Sequence, residues 1–422
     1  NSVETAISAM AELTTRLNAI YEKELCVRFI ISAEQDKLIQ FNPATDGLTN
    51  SSSSSMLEEA ASVYNRLTPT LYSQMRHVLG TYGGGVAYLY SSCSSQAAVT
   101  SSALPIENVY TVMVVAHEMG HQFSAPHTFS GRGERCNGNA GDCIEPGGGS
   151  TIMSYAQQCY PDNIVQQSEL QFHAYSILGM SFRADCGTTV PLDNTPPSIA
   201  FPSNLVLYAP VRTPLILPST LTDAEGDEIT MSWDEIDRGA SQTSLSQGDI
   251  GNNAIFRTFL PASDSTRVLP KWGTILNGDV SPGETMPTRI RPALKFRAFA
   301  RDNRPGGGGT SIQDLSITIA PSSNVNSPFA VLSPQDGLAR SGGPLLVTWA
   351  VVGTNVGSYR LTDVQISLMQ SDDDRNPIVL VASTPNDGSE LVNLPDLSIA
   401  RARIIVRPIN GIFFDVSRKP FE

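Results

Sequence analysis

Residues 117–127 read HEMGHQFSAPH, and this stretch decides how the N-terminal part of the chain folds. On an α-helix, His117 and His121 lie four residues apart, so both imidazoles project from one face, about 6 Å apart along the axis. Glu118 lies one position further round the helix. Pro126 cannot continue the helix, so we expect the chain to turn there and to bring His127 back towards the pair.

This spacing indicates a zinc site. Two neutral imidazoles on one helix face can each place a nitrogen about 2.0–2.1 Å from a zinc ion, and His127 adds a third. Glu118 is placed to act as general base towards the attacking water. The alternative is a buried apolar helix with two satisfied core histidines. That alternative is less favoured, because a buried unpaired carboxylate is costly. We predict one catalytic Zn²⁺ held by His117, His121 and His127.

A second motif supports the first. Met153 lies in the run STIMSY, residues 150–155, about 26 residues after His127. This is the usual place for a methionine turn, whose thioether forms a hydrophobic floor beneath the metal ligands. A methionine in an apolar run is otherwise ordinary core filling. The helix and the turn together resemble the metzincin clan of zinc endopeptidases.

The resemblance can be narrowed. The stretch EPGGGSTIMSY, residues 145–155, and the run Phe172-His173-Ala174 are similar to the bacterial secreted reprolysin-like metalloproteases. Weaker similarities to these proteins lie at residues 213–215, 223–227, 301–303 and 413–417. The resemblance runs through nearly the whole chain. It implies an α/β metzincin catalytic domain, a catalytic zinc ion, and protein or peptide substrates.

Two positions depart from the family pattern. Ser124 stands where the clan usually has a glycine that permits a sharp turn, often with φ > 0. Either Ser124 adopts that conformation at modest cost or the turn differs. Tyr155 follows two residues after Met153, and in some metzincin families a tyrosine there helps to stabilise the oxyanion. The alternative is a core tyrosine with a satisfied hydroxyl.

Composition limits the classes of function. The 422 residues carry a formal net charge of −13, which argues against nucleic-acid binding, since phosphate contacts need a basic patch. The sequence contains no run of about 18 apolar residues, the length that a membrane-spanning helix needs. The sequence begins directly in helical sequence without a secretory signal, as expected of a mature form cut from a longer precursor. We predict a secreted, extracellular protein.

The cysteines support that compartment. All six lie in the first 186 residues, and an even number in a secreted protease indicates disulfides, with buried thiols as the alternative. A Cys93–Cys186 bridge is implied by the reprolysin resemblance. A Cys136–Cys159 bridge would clamp the glycine-rich loop that leads into the methionine turn. A Cys26–Cys143 bridge then follows only by exclusion.

The N-terminal part reads as alternating elements. Helices are predicted over 2–24 and 56–67, and strands over 26–31 and 83–90. In metzincins, an edge strand above the zinc pairs with extended substrate by β-augmentation. Residues 83–90 are the candidate for that strand, and an ordinary inner strand is the alternative.

After Cys186 the sequence changes character. Residues 191–197 and 321–328 are proline-rich linkers, and the segments that follow alternate short β-rich runs with Gly, Pro and Asp turns. We predict an α/β metzincin domain over 1–190, followed by two all-β, immunoglobulin-like sandwich domains over 193–321 and 326–422. The linkers imply that the first domain folds separately.

Two acidic runs lie in the β-rich part of the sequence. Asp223, Glu225 and Asp227 resemble calcium-coordinating turns, but a solvated turn is favoured over Ca²⁺. Residues 372–374, DDD, are predicted to be a simple loop.

Two classes of function remain. The first is a secreted zinc endopeptidase whose β domains bind a cell-surface or matrix target. The alternative is an extracellular binding or structural component that carries a metzincin module.

Overall fold

The structure is a computed structural model. It describes residues 2–81, 83–102, 108–133, 135–136, 142–239, 242–278, 281–320, 327–335, 337, 342–372, 376–396 and 401–421. Among these residues, no helix is both long enough and apolar enough to cross a bilayer.

The N-terminal region combines helices with a small mixed sheet. Its helices are α1 (Val3–Leu25), α2 (Ser53–Leu67), α3 (Val109–Gln122) and α4 (Ala174–Ser181). Its strands are β1 (His77–Gly80), β2 (Gly84–Ala87) and β3 (Ala98–Ser101). Strand β3 pairs in parallel with β1 and antiparallel with β2, giving the order β1-β3-β2. The predicted α/β character of this region is confirmed.

Helix α1 packs on α3, the helix of the zinc motif. Ser2 caps its N-terminus by accepting a hydrogen bond from the Thr5 amide at 3.2 Å. Its buried face carries Leu13, Leu17 and Tyr21, and the Tyr21 hydroxyl donates to the Ala116 carbonyl at 2.8 Å. The apolar periodicity of α1 therefore serves to support α3.

The predicted strand at residues 26–31 was wrong. Cys26 has φ 57° and ends α1 in the left-handed region. The backbone of Phe29 then forms hydrogen bonds with the Asn18 side chain, which accepts from its amide at 2.7 Å and donates to its carbonyl at 3.0 Å. A side chain thus satisfies the backbone groups that a strand partner would otherwise take.

The remainder is all-β apart from two short helical segments, as predicted, over the residues that the structure describes. The first β-rich region contains β4 (Ser198–Ala200), β5 (Tyr208–Pro210), β6 (Leu215–Leu217), β7 (Thr220–Thr222), β8 (Thr230–Glu235), β9 (Arg267–Leu269), α5 (Trp272–Asn277), β10 (Arg291–Arg301) and β11 (Thr310–Ala320). Its main sheet has the order β5-β11-β10-β8, with the smaller pairs β4-β7 and β6-β9.

The second β-rich region contains β12 (Ala330–Ser333), β13 (Gly343–Ala350), β14 (Asp363–Met369), β15 (Ile378–Pro385), β16 (Ser389–Leu394), β17 (Arg403–Pro408) and β18 (Asp415–Val416). These strands form sheets of order β12-β13-β16 and β15-β14-β17-β18. In the predicted DDD loop, Asp372 pairs with Arg401 and Arg403, and residues 373–374 lie outside the described residues.

The two β-rich regions share buried contacts. One apolar cluster contains Phe296 and Ile317 of the first region together with Phe329 and Phe413 of the second. Backbone bridges join Val206 to Gly411 and Leu215 to Phe413. Residues 321–326, most of the predicted second linker, lie outside the described residues, so the proposed boundary there stays a prediction.

The N-terminal region and the first β-rich region meet in a buried polar interface. Glu24 at the end of α1 is 2% exposed and Arg301 at the end of β10 is 0% exposed. Their side chains form two hydrogen bonds of 2.8 and 2.7 Å. The buried carboxylate of Asp234, in β8, accepts from the amide of Ala174 at the start of α4. These contacts tie the regions together more closely than a linker alone would.

Candidate metal centre

The three histidines of the zinc motif converge. The Nε2 atom of His127 lies 3.2 Å from that of His117 and 3.1 Å from that of His121. Helix α3 supplies His117 and His121, and His127 arrives from the turn that follows the helix. The chain therefore brings together all three residues that the sequence singled out.

Hydrogen bonds fix the orientation of the helical pair. His117 Nδ1 donates to the Ile152 carbonyl at 2.7 Å, and His121 Nδ1 donates to the Ala125 carbonyl at 2.7 Å. Because a carbonyl can only accept, each Nδ1 carries the proton and each Nε2 presents its lone pair. This second contact is the usual companion of a metal-binding histidine.

The donor set fits zinc. Two nitrogens that each lie about 2.0–2.1 Å from one ion in a four-coordinate site are about 3.3 Å apart, close to the observed separations. Burial lowers the pKa of His121 to about 4, and burial together with the neighbouring histidines lowers that of His117 well below its usual value. Both rings are therefore neutral at pH 7, the form that binds a metal ion.

Glu118 lies beside this cluster with a desolvated carboxylate. Burial raises its pKa to about 8, and a bound cation would lower it again. Its Oε2 atom is buried and has no hydrogen-bond partner among the described residues. Strand β2 passes so close that a Cβ on Gly85 would lie 2.7 Å from Glu118 Cγ. Glycine at position 85 is what leaves room for the carboxylate.

Strand β2 lies at the edge of its sheet. Within the described residues, β3 is its only strand neighbour, and Gly84 and Gly85 are exposed. The predicted strand at 83–90 is thus shorter than expected, and it borders Glu118. With no second strand neighbour among the described residues, it stays the candidate for pairing with an extended substrate.

Met153 packs directly beneath the helix. A Cβ on Gly120 would lie 2.5 Å from Met153 Sδ, so the thioether occupies the space that a side chain would fill. Met153 is fully buried, and its carbonyl accepts from the Thr128 amide at 3.1 Å. The methionine is therefore placed as a floor under α3 and is linked to the residue after His127.

Tyr155 lies against the third histidine. Its ring centroid is 4.5 Å from that of His127 and 4.6 Å from that of Phe129, on which it stacks. The pKa of the Tyr155 hydroxyl is raised, mainly by burial and to a lesser extent by the Glu118 carboxylate. Arg135 acts in the opposite direction. Tyr155 is half-buried and belongs to the rim of the centre.

The turn that leads to His127 has the backbone conformation that usually requires glycine, although the residue there is Ser124. Ser124 has φ 90°, in the region that favours glycine. The Ser124 amide donates to His121 O at 2.8 Å and the Ala125 amide to Gly120 O at 2.9 Å. These two bonds form a Schellman motif. Of the two expectations for Ser124, the structure shows the first: the serine adopts the strained conformation.

Ser124→Gly is expected to stabilise the protein by roughly 0.5–1 kcal/mol. The strain of about 1–2 kcal/mol in the left-handed region is removed, and about 0.5–1 kcal/mol is lost to the greater freedom of the unfolded chain. Urea unfolding measures the difference. The control is Ser62→Gly, at an exposed position inside α2, which should destabilise. A Ser124→Gly variant less stable than the wild type would show that no strain is stored there.

Sequence reasoning missed Glu145 as a positioning residue. It is 1% exposed, and its carboxylate accepts from the Ser150 amide at 2.8 Å and from the hydroxyls of Thr128 at 2.5 Å and Thr151 at 2.6 Å. It therefore joins the residue after His127 to the methionine turn. The available signal was an acidic residue just before a glycine-rich run that ends in hydroxyl residues.

Two disulfides are formed as expected. They are Cys93–Cys186 and Cys136–Cys159, and they are consistent with an extracellular protein. The Cys26–Cys143 bridge inferred by exclusion was wrong, since among the described residues these two are not joined to each other. The Cys26 thiol donates to the Gly308 carbonyl in the first β-rich region, whereas Cys143 follows directly after Asp142, beside the segment of the third histidine.

The acidic turn at 223–227 is held by its own hydrogen bonds. Carboxylate oxygens of Asp223, Glu225 and Asp227 lie within 4.8 Å of one another. Asp223 Oδ1 accepts from the amides of Glu225 and Asp227, and Arg304 pairs with Asp227 at 3.3 Å. The Asp223 Oδ2 atom is buried and has no hydrogen-bond partner among the described residues, and calcium there stays the less favoured prediction.

A comparison with protein families bears on the N-terminal region. The family model of the M12B reprolysin-like metallo-peptidases matches residues 7–128. The matched segment contains α1 from Ile7 onward, α2, the β1-β3-β2 sheet, α3 and all three histidines. The N-terminal region is therefore metallopeptidase-like. No curated protein matches the sequence.

Solved structures show only distant similarity. The N-terminal four Ig domains of Dscam1 isoform 4.44 are 10% identical, with a TM-score of 0.16, over 56% of this chain and 47% of that chain. The two tandem V-type regions of VCBP3, a v-region-containing chitin binding protein, are 9% identical, with a TM-score of 0.18, over 54% of this chain and 100% of that chain. The chain thus spans about half the length of the Dscam1 structure. At these TM-scores, the similarities carry no argument about the fold.

Proposed function

We propose that the protein is a secreted zinc endopeptidase. The convergence of three Nε2 atoms beside a buried carboxylate that lacks a hydrogen-bond partner among the described residues carries this proposal. The match of residues 7–128 to a metallopeptidase family supports it. His117, His121 and His127 would hold the metal, and Met153 would support them from below.

Zinc, when bound there, supplies a Lewis acid that polarises the scissile carbonyl and acidifies water. Glu118 takes a proton from the attacking water and delivers it to the leaving nitrogen, and its desolvated position keeps it basic enough for both transfers. The Tyr155 hydroxyl donates to the oxygen that gains negative charge. Strand β2 orients the substrate as an added strand, since its edge runs past Glu118.

The β-rich regions would supply binding to a cell-surface or matrix target, in an immunoglobulin-like arrangement. The alternative is an extracellular binding or structural component whose metzincin module does no chemistry. Casein hydrolysis that a chelator abolishes and added zinc restores would support the peptidase. Full target binding with no cleavage of any peptide in a library would favour the alternative.

The ligand set has a direct test. In the presence of a competing chelator, His127→Ala is expected to keep less than about a tenth of the zinc that the wild type retains. Losing a residue that supports a metal ligand lowers metal affinity about 10–100-fold, and losing the ligand itself should lower it at least as much. Elemental analysis after dialysis measures it. The control is His77→Gln, because His77 lies in β1, outside the cluster. Normal zinc content in His127→Ala would remove this residue from the ligand set.

A further inference from the structure

The first β-rich region reaches the segment that carries the third histidine. Residues 238–239 and 242–245, here called the bracing segment, follow β8 of the main sheet. They lie along residues 130–133, 135–136 and 142–143 of the N-terminal region. His127 is the one histidine of the three that no regular helix holds. Its position therefore depends on what packs around its loop.

One side of that loop is held through Asp142. The Asp142 amide donates to the His127 carbonyl at 2.9 Å. Its carboxylate accepts from the Tyr175 hydroxyl at 2.8 Å and forms an ion pair with Arg238 of the bracing segment. The next residue is held as well, since the Gly239 amide donates to the Cys143 carbonyl at 3.0 Å.

The other side is held through backbone carbonyls. The Thr243 amide donates to the Ser130 carbonyl at 2.8 Å. The Gln242 side-chain amide donates to the carbonyls of Gly131 at 2.9 Å and Cys136 at 2.7 Å. Without Gln242, these two carbonyls would lose their shared donor, and a buried group left unsatisfied is costly.

We propose that the bracing segment positions the third histidine, so that residues of the first β-rich region set how firmly the N-terminal region retains its metal. The inference rests on the proposed function. It makes Arg238 and Gln242 positioning residues, since neither is a ligand and both act through the loop of His127. It also makes the catalytic unit extend to the end of β11 rather than end at the linker.

The experiment compares full-length variants loaded with zinc. The double variant Arg238→Met/Gln242→Leu should release zinc to a chromogenic chelator at least about tenfold faster than the wild type. Mutation of residues that support metal ligands has effects of this size on metal binding. With zinc in excess, kcat should recover while KM stays unchanged. Arg238→Lys, which keeps the charge beside Asp142, should release zinc more slowly than Arg238→Met.

The matched control is Arg304→Met, which breaks the Arg304–Asp227 pair in the same region, away from the histidines. It should release zinc at the wild-type rate. If the combined variant does not fold, Arg238→Met alone decides, because the Arg238 side chain is 67% exposed and its loss leaves no cavity. Zinc release within about twofold of the Arg304→Met control would overturn the inference. A wild-type protein that neither binds zinc nor cleaves peptides would instead reject the proposed function.

Discussion

Glu118→Gln is expected to lower kcat on a peptide substrate by roughly 10²–10⁴, the usual contribution of a general base. Glutamine keeps the shape that fits over Gly85 but cannot accept the proton. Zinc content should not change, because the three imidazoles rather than Glu118 present lone pairs to the centre. KM should change little, since substrate contacts with the edge of β2 are untouched.

The same variant separates chemistry from folding. Glu118 Oε2 makes no hydrogen bond to another described residue, so thermal stability should be unchanged or higher in Glu118→Gln. Glu12→Gln, on the exposed face of α1, is the control for a lost carboxylate. Turnover by Glu118→Gln within about tenfold of the wild type, well short of the expected loss, would assign the proton transfers to another group.

Arg301→Met is expected to destabilise the protein by about 3–5 kcal/mol, the cost of leaving one partner of a buried ion pair alone. Glu24 would then lie in a site that is 2% exposed without the guanidinium that neutralises its charge. Arg297→Met is the matched control, because it removes the same group from the same strand. Its partner Asp314 is 52% exposed, so we expect a loss of about 1 kcal/mol or less. Chemical denaturation monitored at two wavelengths measures both.

A second substitution tests the cause. Adding Glu24→Leu to Arg301→Met should restore most of the stability, because an apolar pair of similar volume does not bury a charge. The Arg301 guanidinium also lies 4.0 Å from the ring centroid of Phe299. If the double variant stays as unstable as Arg301→Met, the loss of this contact rather than the unpaired charge governs the interface. If Arg301→Met costs no more than Arg297→Met, the N-terminal region does not depend on the first β-rich region for stability.

The convergence of the three histidines was largely predictable, because the spacing that decides it is local. A separation of four residues on a helix fixes the relation of His117 to His121 without any tertiary knowledge. For Ser124 the sequence left two alternatives open, strain or a different turn, and only the observed φ of 90° decides between them. Glu145 was missed because its partners, Thr128 and Thr151, come together only after the chain folds back.

The errors have the same origin. The strand expected at residues 26–31 has a suitable apolar pattern, but the side chain of Asn18 takes the backbone hydrogen bonds of Phe29. Separate folding of the N-terminal region, which the linker at 191–197 implied, stays a prediction. The contact of Glu24 with Arg301 could not be predicted, because no local pattern links the two residues. The Cys26–Cys143 bridge was wrong because it was inferred only from the pairing of the other four cysteines. That inference assumes that every cysteine forms a disulfide.

The Glu24–Arg301 pair has a consequence for the order of events during synthesis. Its members are 277 residues apart in the chain. At about 5–20 residues per second, Arg301 is made on the order of 14–55 s after Glu24. We expect the N-terminal region to remain incompletely packed during this interval. Under the proposed function, we therefore expect peptidase activity to begin only after the chain has been synthesised as far as Arg301.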